Sequence, residues 1–217
     1  ILIVMGSVAL LDIYAAFFLT IAIVMAFRKR ILLSAVFVGL SAASKETGLF
    51  GILALIILIF ALYGKKAEAL RKIGEIILII LAVILVVYIP LFYHFGVLNL
   101  LQQTIGGFKW DLQSRPPGPP TSTPSGWLFN VDPFVLSYSP LVEASTTPAI
   151  EVTAMISAVS IFVSCILYKR KYCYNVGSVF YISIFLGFWL VYLAGNHTLY
   201  SFYSVILTPA AAFTLVE

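Results

Sequence analysis

Runs of apolar residues, separated by short polar clusters, extend along almost the whole chain. A helix that spans a membrane needs about 20 consecutive apolar residues. The pattern predicts about seven spanning helices, at residues 1–27, 31–44, 47–63, 73–93, 148–168, 175–195 and 199–217. We therefore predict an all-α, polytopic membrane protein in which residues 1–217 form one transmembrane domain. Residues 94–147 would be a long extracytoplasmic loop, rich in proline and aromatic residues.

The composition supports this class of protein. Hydrophobic residues make up 62% of the chain and charged residues 10%, whereas a soluble domain carries about 25% charged residues. The net charge of +4 does not indicate a nucleic-acid partner, because the basic residues lie in short clusters between apolar runs. Cys165 and Cys173 indicate neither a disulfide framework nor a metal site. The chain begins at Ile1 and ends at Glu217 inside apolar stretches, so we interpret it as part of a longer protein.

The basic clusters predict the topology. Residues 28–30, 65–72 and 169–171 hold ten of the 13 lysines and arginines and fall in alternate loops. Short loops rich in lysine and arginine face the cytoplasm, so the other loops, including residues 94–147, face outward. Residues 116–120 of this outer loop are almost all proline, which favours extended structure. Residues 65–72 themselves predict a short interfacial helix.

Helical rise places several unusual polar residues at one depth. Asp12 lies 16 residues before Arg28, a rise of ~24 Å, and Lys45 lies 15 residues after Arg30, a rise of ~22 Å. The hydrocarbon core is about 30 Å thick, so both lie near its outer edge. Rise and topology together gather six residues at this level: Asp12, Lys45, Glu46, His94, Glu151 and His197. An ionisable residue at membrane depth is costly and therefore suggests a functional site.

Each of these residues also has a structural alternative. Asp12 fits a helix cap or a partner for a neighbouring helix, and Lys45 with Glu46 fits a surface ion pair whose side chains reach the interface. Glu151 fits a helix N-terminus, His94 fits a helix end, and Asn196 begins a glycosylation sequon at the membrane. Taken together, the lysine, the carboxylates and the histidines predict a polar pocket suited to an anionic lipid head group.

Four stretches of sequence occur in an order that is typical of one family. They are Leu11–Phe18 followed by Arg28–Arg30, Gly39–Leu49, Pro124–Tyr138, and His197–Tyr203 with Pro209. The second contains Lys45-Glu46-Thr47-Gly48-Leu49. In this order the chain resembles the dolichyl-phosphate-mannose–protein mannosyltransferases and related lipid-phosphate-sugar glycosyltransferases of the GT-C fold.

The resemblance implies transfer of a mannose-like sugar from a polyprenyl-phosphate carrier to a protein hydroxyl or another outer-face acceptor. Lys45, and more weakly His197, would contact the lipid phosphate. Asp12 would orient Lys45, or help to bind the acceptor or a divalent metal, with Glu46, His94 and Glu151 as supporting polar groups. Trp127 and Trp110 would contact the sugar or the acceptor. Apart from this possible metal, the resemblance implies no cofactor.

The chain also departs from the family pattern. The acidic pair that supplies the family's catalytic base would lie upstream of Ile1. Leu128 and Phe129 stand where a second tryptophan is usual, and Asp132 and His197 stand where the family has arginines.

The sequence also leaves other functions open. The alternatives are a GT-C transferase that glycosylates a lipid or envelope glycan, a polytopic transporter, and a purely structural subunit. Transporters usually place their charges near the midplane of the membrane. The favoured location is an archaeal or bacterial cell membrane, with the membrane of the endoplasmic reticulum as the alternative.

Overall fold

The computed structural model describes residues 11–63, 66–114, 120–167 and 175–216, which are mostly helical. The helices are α1 (Leu11–Phe27), α2 (Ile31–Ser44), α3 (Phe50–Leu62), α4 (Lys66–Phe95), α5 (Val97–Asp111), α6 (Pro124–Leu128), α7 (Pro148–Leu167), α8 (Val176–Leu193) and α9 (Thr208–Val216). Two 3₁₀ turns, Glu46–Leu49 and Ser201–Ile206, precede α3 and α9, and the strands β1 (Phe134–Tyr138) and β2 (Leu141–Ala144) form an antiparallel hairpin.

Helices α1 and α2 form an antiparallel pair held by buried serines. Ser34 Oγ donates a hydrogen bond of 2.7 Å to Ala22 O, and Ser41 Oγ donates one of 2.8 Å to Ala15 O. Residues seven apart lie about two turns apart on one helix face, so the two bonds fix a single register. This register brings the beginning of α1 next to the end of α2.

The core lies around α8, which packs on α3, α7 and α9. Asn175 caps α8, because its Oδ1 accepts a hydrogen bond of 2.7 Å from Ser178 N. Phe180, Tyr181 and Phe188 are fully buried on this helix. A Cβ at Gly187 would collide with the Phe50 ring, so only glycine lets α3 pack this closely on α8.

Most of the predicted helices are present with nearly the predicted bounds. The predicted helix 31–44 is confirmed as Ile31–Ser44, and helices 148–168 and 175–195 as Pro148–Leu167 and Val176–Leu193. The predicted break at residue 72 is wrong, because the short interfacial helix and the next span form one helix, Lys66–Phe95. Charged residues interrupt an apolar run but do not interrupt a helix, and this boundary was placed from hydropathy alone.

Three further predictions are wrong in part. The outer loop contains the 15-residue helix α5 and the hairpin, so the chain is not purely α-helical. The predicted helix 199–217 is a 3₁₀ turn followed by α9, and the predicted helix 47–63 begins with a 3₁₀ turn. Hydropathy measures apolar length, and it detects neither amphipathic helices nor changes of helix type.

Two of the described helices, Lys66–Phe95 and Val176–Leu193, are long and apolar enough to span a membrane. The other apolar helices are shorter than a membrane span. Because a buried helix in a soluble protein can be equally long and apolar, the seven predicted spans stay a prediction. Only 11% of the most apolar window of α4 is buried, however. The apolar composition of α4 is therefore not explained by burial in this chain.

Several predictions fall outside the described residues. They concern residues 1–10 of the first predicted span, Lys65, residues 115–119 of the proline-rich stretch, and residues 168–174 with their basic cluster and Cys173. The side chain of Cys165 is also outside the described part.

Candidate functional site

A buried ion pair joins the beginning of α1 to the end of α2. Lys45 Nζ lies 2.7 Å from each carboxylate oxygen of Asp12. The side chains are 15% and 4% exposed, respectively. The predicted proximity of these two residues is confirmed. A buried charge is tolerated when a partner of opposite charge compensates it, and Asp12 supplies that partner.

The backbone after α2 places Lys45 at this position. Lys45 itself is extended (φ −158°, ψ 138°), and the 3₁₀ turn that follows folds back onto α2. A Cβ at Gly48 would lie 2.5 Å from both Ala42 N and Ser41 Oγ. Because no side chain fits there, glycine allows the turn to contact α2 directly. The same Ser41 bonds to α1, so the turn, α1 and α2 meet beside the ion pair.

Aromatic rings cover the other side of the lysine. Lys45 Nζ lies 4.3 Å from the ring centroid of Tyr203 and 5.9 Å from that of Phe202, both in the 3₁₀ turn Ser201–Ile206. An ammonium within about 6 Å of an aromatic face is attracted by the ring quadrupole. The ammonium is therefore held by a carboxylate and an aromatic face together.

Two cavities meet at Lys45. The small cavity, of about 160 Å³, has mainly apolar walls that include Phe50 and Phe188, and Lys45, Glu46, Thr47, Asn196 and Tyr203 are among its lining residues. The apolar groove, of about 520 Å³, lies among α2, α4 and α5 and is lined mainly by aliphatic and aromatic side chains, such as Leu85, Tyr88, Phe92 and Leu101. Lys45, Glu46, Leu49 and Phe108 line both. These four residues form the wall that the two cavities share.

Thr47 is among the lining residues of the small cavity, but its hydroxyl oxygen does not face into it. Its Oγ1 is buried and makes no hydrogen bond to any described group. Ser178 Oγ and Ser183 Oγ are also buried and unbonded, but neither serine lines the small cavity or the groove.

Glu46 also lies at the site. It is half-buried and belongs to the wall that the two cavities share.

The histidines do not join the ion pair. His94 is exposed and packs on Phe95, with ring centroids 4.8 Å apart, and His197 is exposed and packs on Tyr192 at 4.6 Å. Neither lines the small cavity or the groove. Topology alone placed them at the same face as Lys45, and their part in the site stays a prediction.

Glu151 has a structural partner elsewhere. Its carboxylate is buried and accepts a hydrogen bond of 2.8 Å from the Tyr181 hydroxyl, which joins α7 to α8. Glu151 lines neither cavity, so the prediction that it supports the pocket is wrong. The carboxylate instead ties two core helices together.

The two tryptophans are not positioned as sugar contacts. Trp127 is 1% exposed, its Nε1 donates a hydrogen bond of 2.8 Å to Ser122 Oγ, and its ring packs edge-on against Phe188 at 4.9 Å. Trp110 is exposed on α5 and lines neither cavity. Trp127 therefore supports the cavity wall from behind, and the predicted direct contact is wrong for it.

Sequence reasoning missed Thr47, Asn196 and Tyr203 as residues of the small cavity. Thr47 and Tyr203 lie inside two of the recognised motifs, which was the only signal for them. Asn196 was considered as a glycosylation acceptor, but it is 3% exposed and its Oδ1 accepts hydrogen bonds from Thr198 N and Thr198 Oγ1. Its position in the cavity wall makes the sequon inaccessible.

The divalent metal that the resemblance allows at Asp12 has no set of ligands among the described residues. Among the described residues, no group of three or more histidines, cysteines, aspartates or glutamates is placed to hold a metal ion. Both oxygens of Asp12 are bonded to Lys45. The site as described is one cation in the wall between a large groove and a small cavity, both of which are mainly apolar.

Comparison of the chain with protein-family models, curated proteins and solved structures gives no match. The resemblance to the GT-C glycosyltransferases therefore rests on the sequence motifs and stays a prediction.

Proposed function

We propose that this protein is an integral membrane glycosyltransferase that takes a sugar from a polyprenyl-phosphate carrier. The observation that carries the proposal is the position of Lys45 in the wall shared by the apolar groove and the small cavity. A polyprenyl-phosphate carrier combines the two features found here, because it joins a long apolar chain to an anionic phosphate.

The groove suits the polyprenyl chain. It is lined along α4 and α5 by apolar side chains, and its volume of about 520 Å³ exceeds that of the small cavity several-fold. Burial of apolar chain surface is favourable by about 25 cal/mol per Å². The largely unburied apolar window of α4 is consistent with contact to membrane lipid, from which such a carrier would enter.

Lys45 suits the phosphate. An ammonium group has three N–H donors, and Asp12 accepts two hydrogen bonds from it, which leaves one donor for a phosphate oxygen. Asp12 and Tyr203 fix the ammonium before the ligand arrives. A fixed cation in a site of low polarity stabilises charge that develops on a leaving group in the transition state. Lys45 would therefore assist departure of the lipid phosphate as the bond to the sugar breaks.

The acceptor's proton would pass to a carboxylate base. The resemblance places that base upstream of Ile1, so the described residues would supply donor binding and leaving-group stabilisation. The acceptor would be a protein hydroxyl or, as the alternative, a lipid or envelope glycan on the outer face.

Binding of polyprenyl phosphate by the complete protein in lipid nanodiscs tests the proposal. Polyprenol of the same chain length is the reference ligand, because it lacks the charge. The wild type should bind the phosphate more tightly than the alcohol, and Lys45→Gln should remove this preference. Lys72→Gln is the matched control, since Lys72 pairs with Glu75 on α4 away from both cavities. Equal affinity of the wild type for the two lipids would contradict the proposal.

A further inference from the structure

Helix α5 carries an apolar stripe, formed by Leu98, Leu101, Ile105 and Phe108. These residues follow one another at intervals of three and four positions, so their side chains share one face of the helix. Leu101 and Phe108 line the groove, whereas Leu98 and Ile105 line neither cavity and are 77% and 55% exposed. Leu98 and Ile105 therefore form an apolar surface that the described part of the chain leaves open.

The opposite side of α5 is polar and carries amides rather than charges. Asn99 and Gln103 lie there and are exposed, and Lys109 and Asp111 are the only charged residues of the helix. A helix with one apolar and one polar face lies in the plane of a membrane interface, whereas a spanning helix is apolar all round. The pattern therefore favours a position at the lipid surface.

The helix before α5 ends at the depth of the outer interface. No aspartate, glutamate, lysine or arginine follows Glu75 in α4, and Phe95 lies 20 residues after Glu75, a rise of ~30 Å. The hydrocarbon core of a membrane is about 30 Å thick. Gly96, with a φ of 77°, then turns the chain, and α5 begins at Val97. Helix α5 therefore begins where a spanning α4 leaves the hydrocarbon.

The exposed face of α4 extends to the same level. Leu78, Val86, Ile89 and Tyr93 are exposed, and their spacing of eight, three and four residues places them on one face of the helix. Tyrosine is enriched at the boundary between membrane and water, because its ring is apolar and its hydroxyl is polar. The exposed face of α4 thus ends on an interfacial residue, and the open surface of α5 continues from that point.

We propose that α5 lies in the outer interface of the membrane, with Leu98 and Ile105 among the acyl chains of the outer leaflet. This inference rests on the membrane location in the proposed function, because α4 must span the bilayer. Leu101 and Phe108 of the same stripe line the groove, so α5 would separate the outer leaflet from the groove. A polyprenyl carrier that enters from the leaflet would pass along this helix.

Spin labels in the complete protein test the inference. All native cysteines, including Cys165 and Cys173, are replaced by serine, and one cysteine is introduced in each of four variants: Leu98→Cys, Ile105→Cys, Gln103→Cys and Val86→Cys. Gln103 is the matched control on the polar side of α5, and Val86 is the reference on the exposed face of α4. Each labelled protein is placed in phosphatidylcholine nanodiscs without added carrier. Collisions of the label with molecular oxygen, which concentrates in lipid, are compared with collisions with a nickel chelate, which stays in water.

The labels at positions 98 and 105 should collide more often with oxygen than with the chelate. They should lie about 5–10 Å into the boundary between head groups and acyl chains, as interfacial helices do. The label at position 103 should show the reverse order of collisions. The label at position 86 should collide mainly with oxygen and lie deeper than those on α5. A melting temperature like that of the wild type confirms that each variant folds.

Two results at positions 98 and 105 would overturn the inference. Frequent collisions with the chelate would show that this surface faces water, and protection from both oxygen and the chelate would show that a protein covers it. If the label at position 86 lies in lipid in either case, the inference fails alone. A label at position 86 that collides mainly with the chelate would contradict the membrane location, and the proposed function would fail with it.

Discussion

Lys45 Nζ lies 2.7 Å from both carboxylate oxygens of Asp12, across the ends of two antiparallel helices. The serine bonds from Ser34 and Ser41 to α1 lie on the same helix pair and continue towards this ion pair. The position of the cation is therefore part of the helix packing, and it does not depend on a flexible side chain reaching from a loop.

Asp12→Asn should destabilise the protein strongly. The substitution leaves the Lys45 ammonium buried without a compensating charge, and breaking a buried pair in this way costs about 3–5 kcal/mol. The value should fall toward the lower end, because Lys45 keeps 15% of its side chain exposed. The free energy of unfolding in detergent micelles measures the effect.

The double variant Asp12→Asn with Lys45→Gln is the control for this prediction. It removes both charges, so it should be more stable than Asp12→Asn alone, and the difference gives the coupling between the two residues. Additive effects of the two substitutions would show that the ion pair does not matter for stability.

Gly48→Ala should both destabilise the protein and weaken binding of polyprenyl phosphate. The new Cβ would lie 2.5 Å from Ala42 N and from Ser41 Oγ, so the turn must move off α2 and carry Lys45 with it. Gly74→Ala is the matched control, since a Cβ at Gly74 meets nothing within 4 Å and alanine favours a helix by about 1 kcal/mol. Thermal unfolding and lipid binding should separate the two variants. Similar behaviour of both would argue against the role given to Gly48.

Tyr203→Leu should weaken binding of polyprenyl phosphate, whereas Tyr203→Phe should retain most of it. The aromatic face 4.3 Å from Lys45 Nζ holds the ammonium in place, and such contacts contribute about 0.5–2 kcal/mol. Phenylalanine keeps this face and leucine does not. Titration with polyprenyl phosphate measures the affinities. Equal binding by the leucine and phenylalanine variants would show that the aromatic ring does not hold the Lys45 ammonium in place.

The ion pair could be predicted from the sequence because it depends only on helix lengths and topology. Rise per residue placed Asp12 and Lys45 at one depth, and a charged residue in an apolar chain seeks an opposite charge. The cavity residues could not be predicted in this way. Thr47, Asn196 and Tyr203 lie in separate segments of the chain, and only the folded structure brings them to the same cavity.

The prediction for Trp127 failed for a related reason. An aromatic residue in an outer segment fits an interfacial belt, a binding surface and a buried core equally well, and composition does not distinguish them. Trp127 proved to be buried because Ser122 and Phe188 lie beside it, contacts that join residues from different elements. The amphipathic helix α5 was assigned to a loop, although it supplies Phe108 to the wall shared by both cavities.

Sugar transfer by the complete protein in vesicles is the most direct test of the central claim. The donor is radiolabelled mannosyl-phosphopolyprenol, and the readout is label transferred to membrane protein or lipid. The wild type should transfer the sugar, and Lys45→Gln should lose at least a hundred-fold in rate if the cation stabilises the departing phosphate by about 2.7 kcal/mol or more. Lys72→Gln should match the wild type. Undiminished transfer by Lys45→Gln, in protein that inserts and folds normally, would contradict the account.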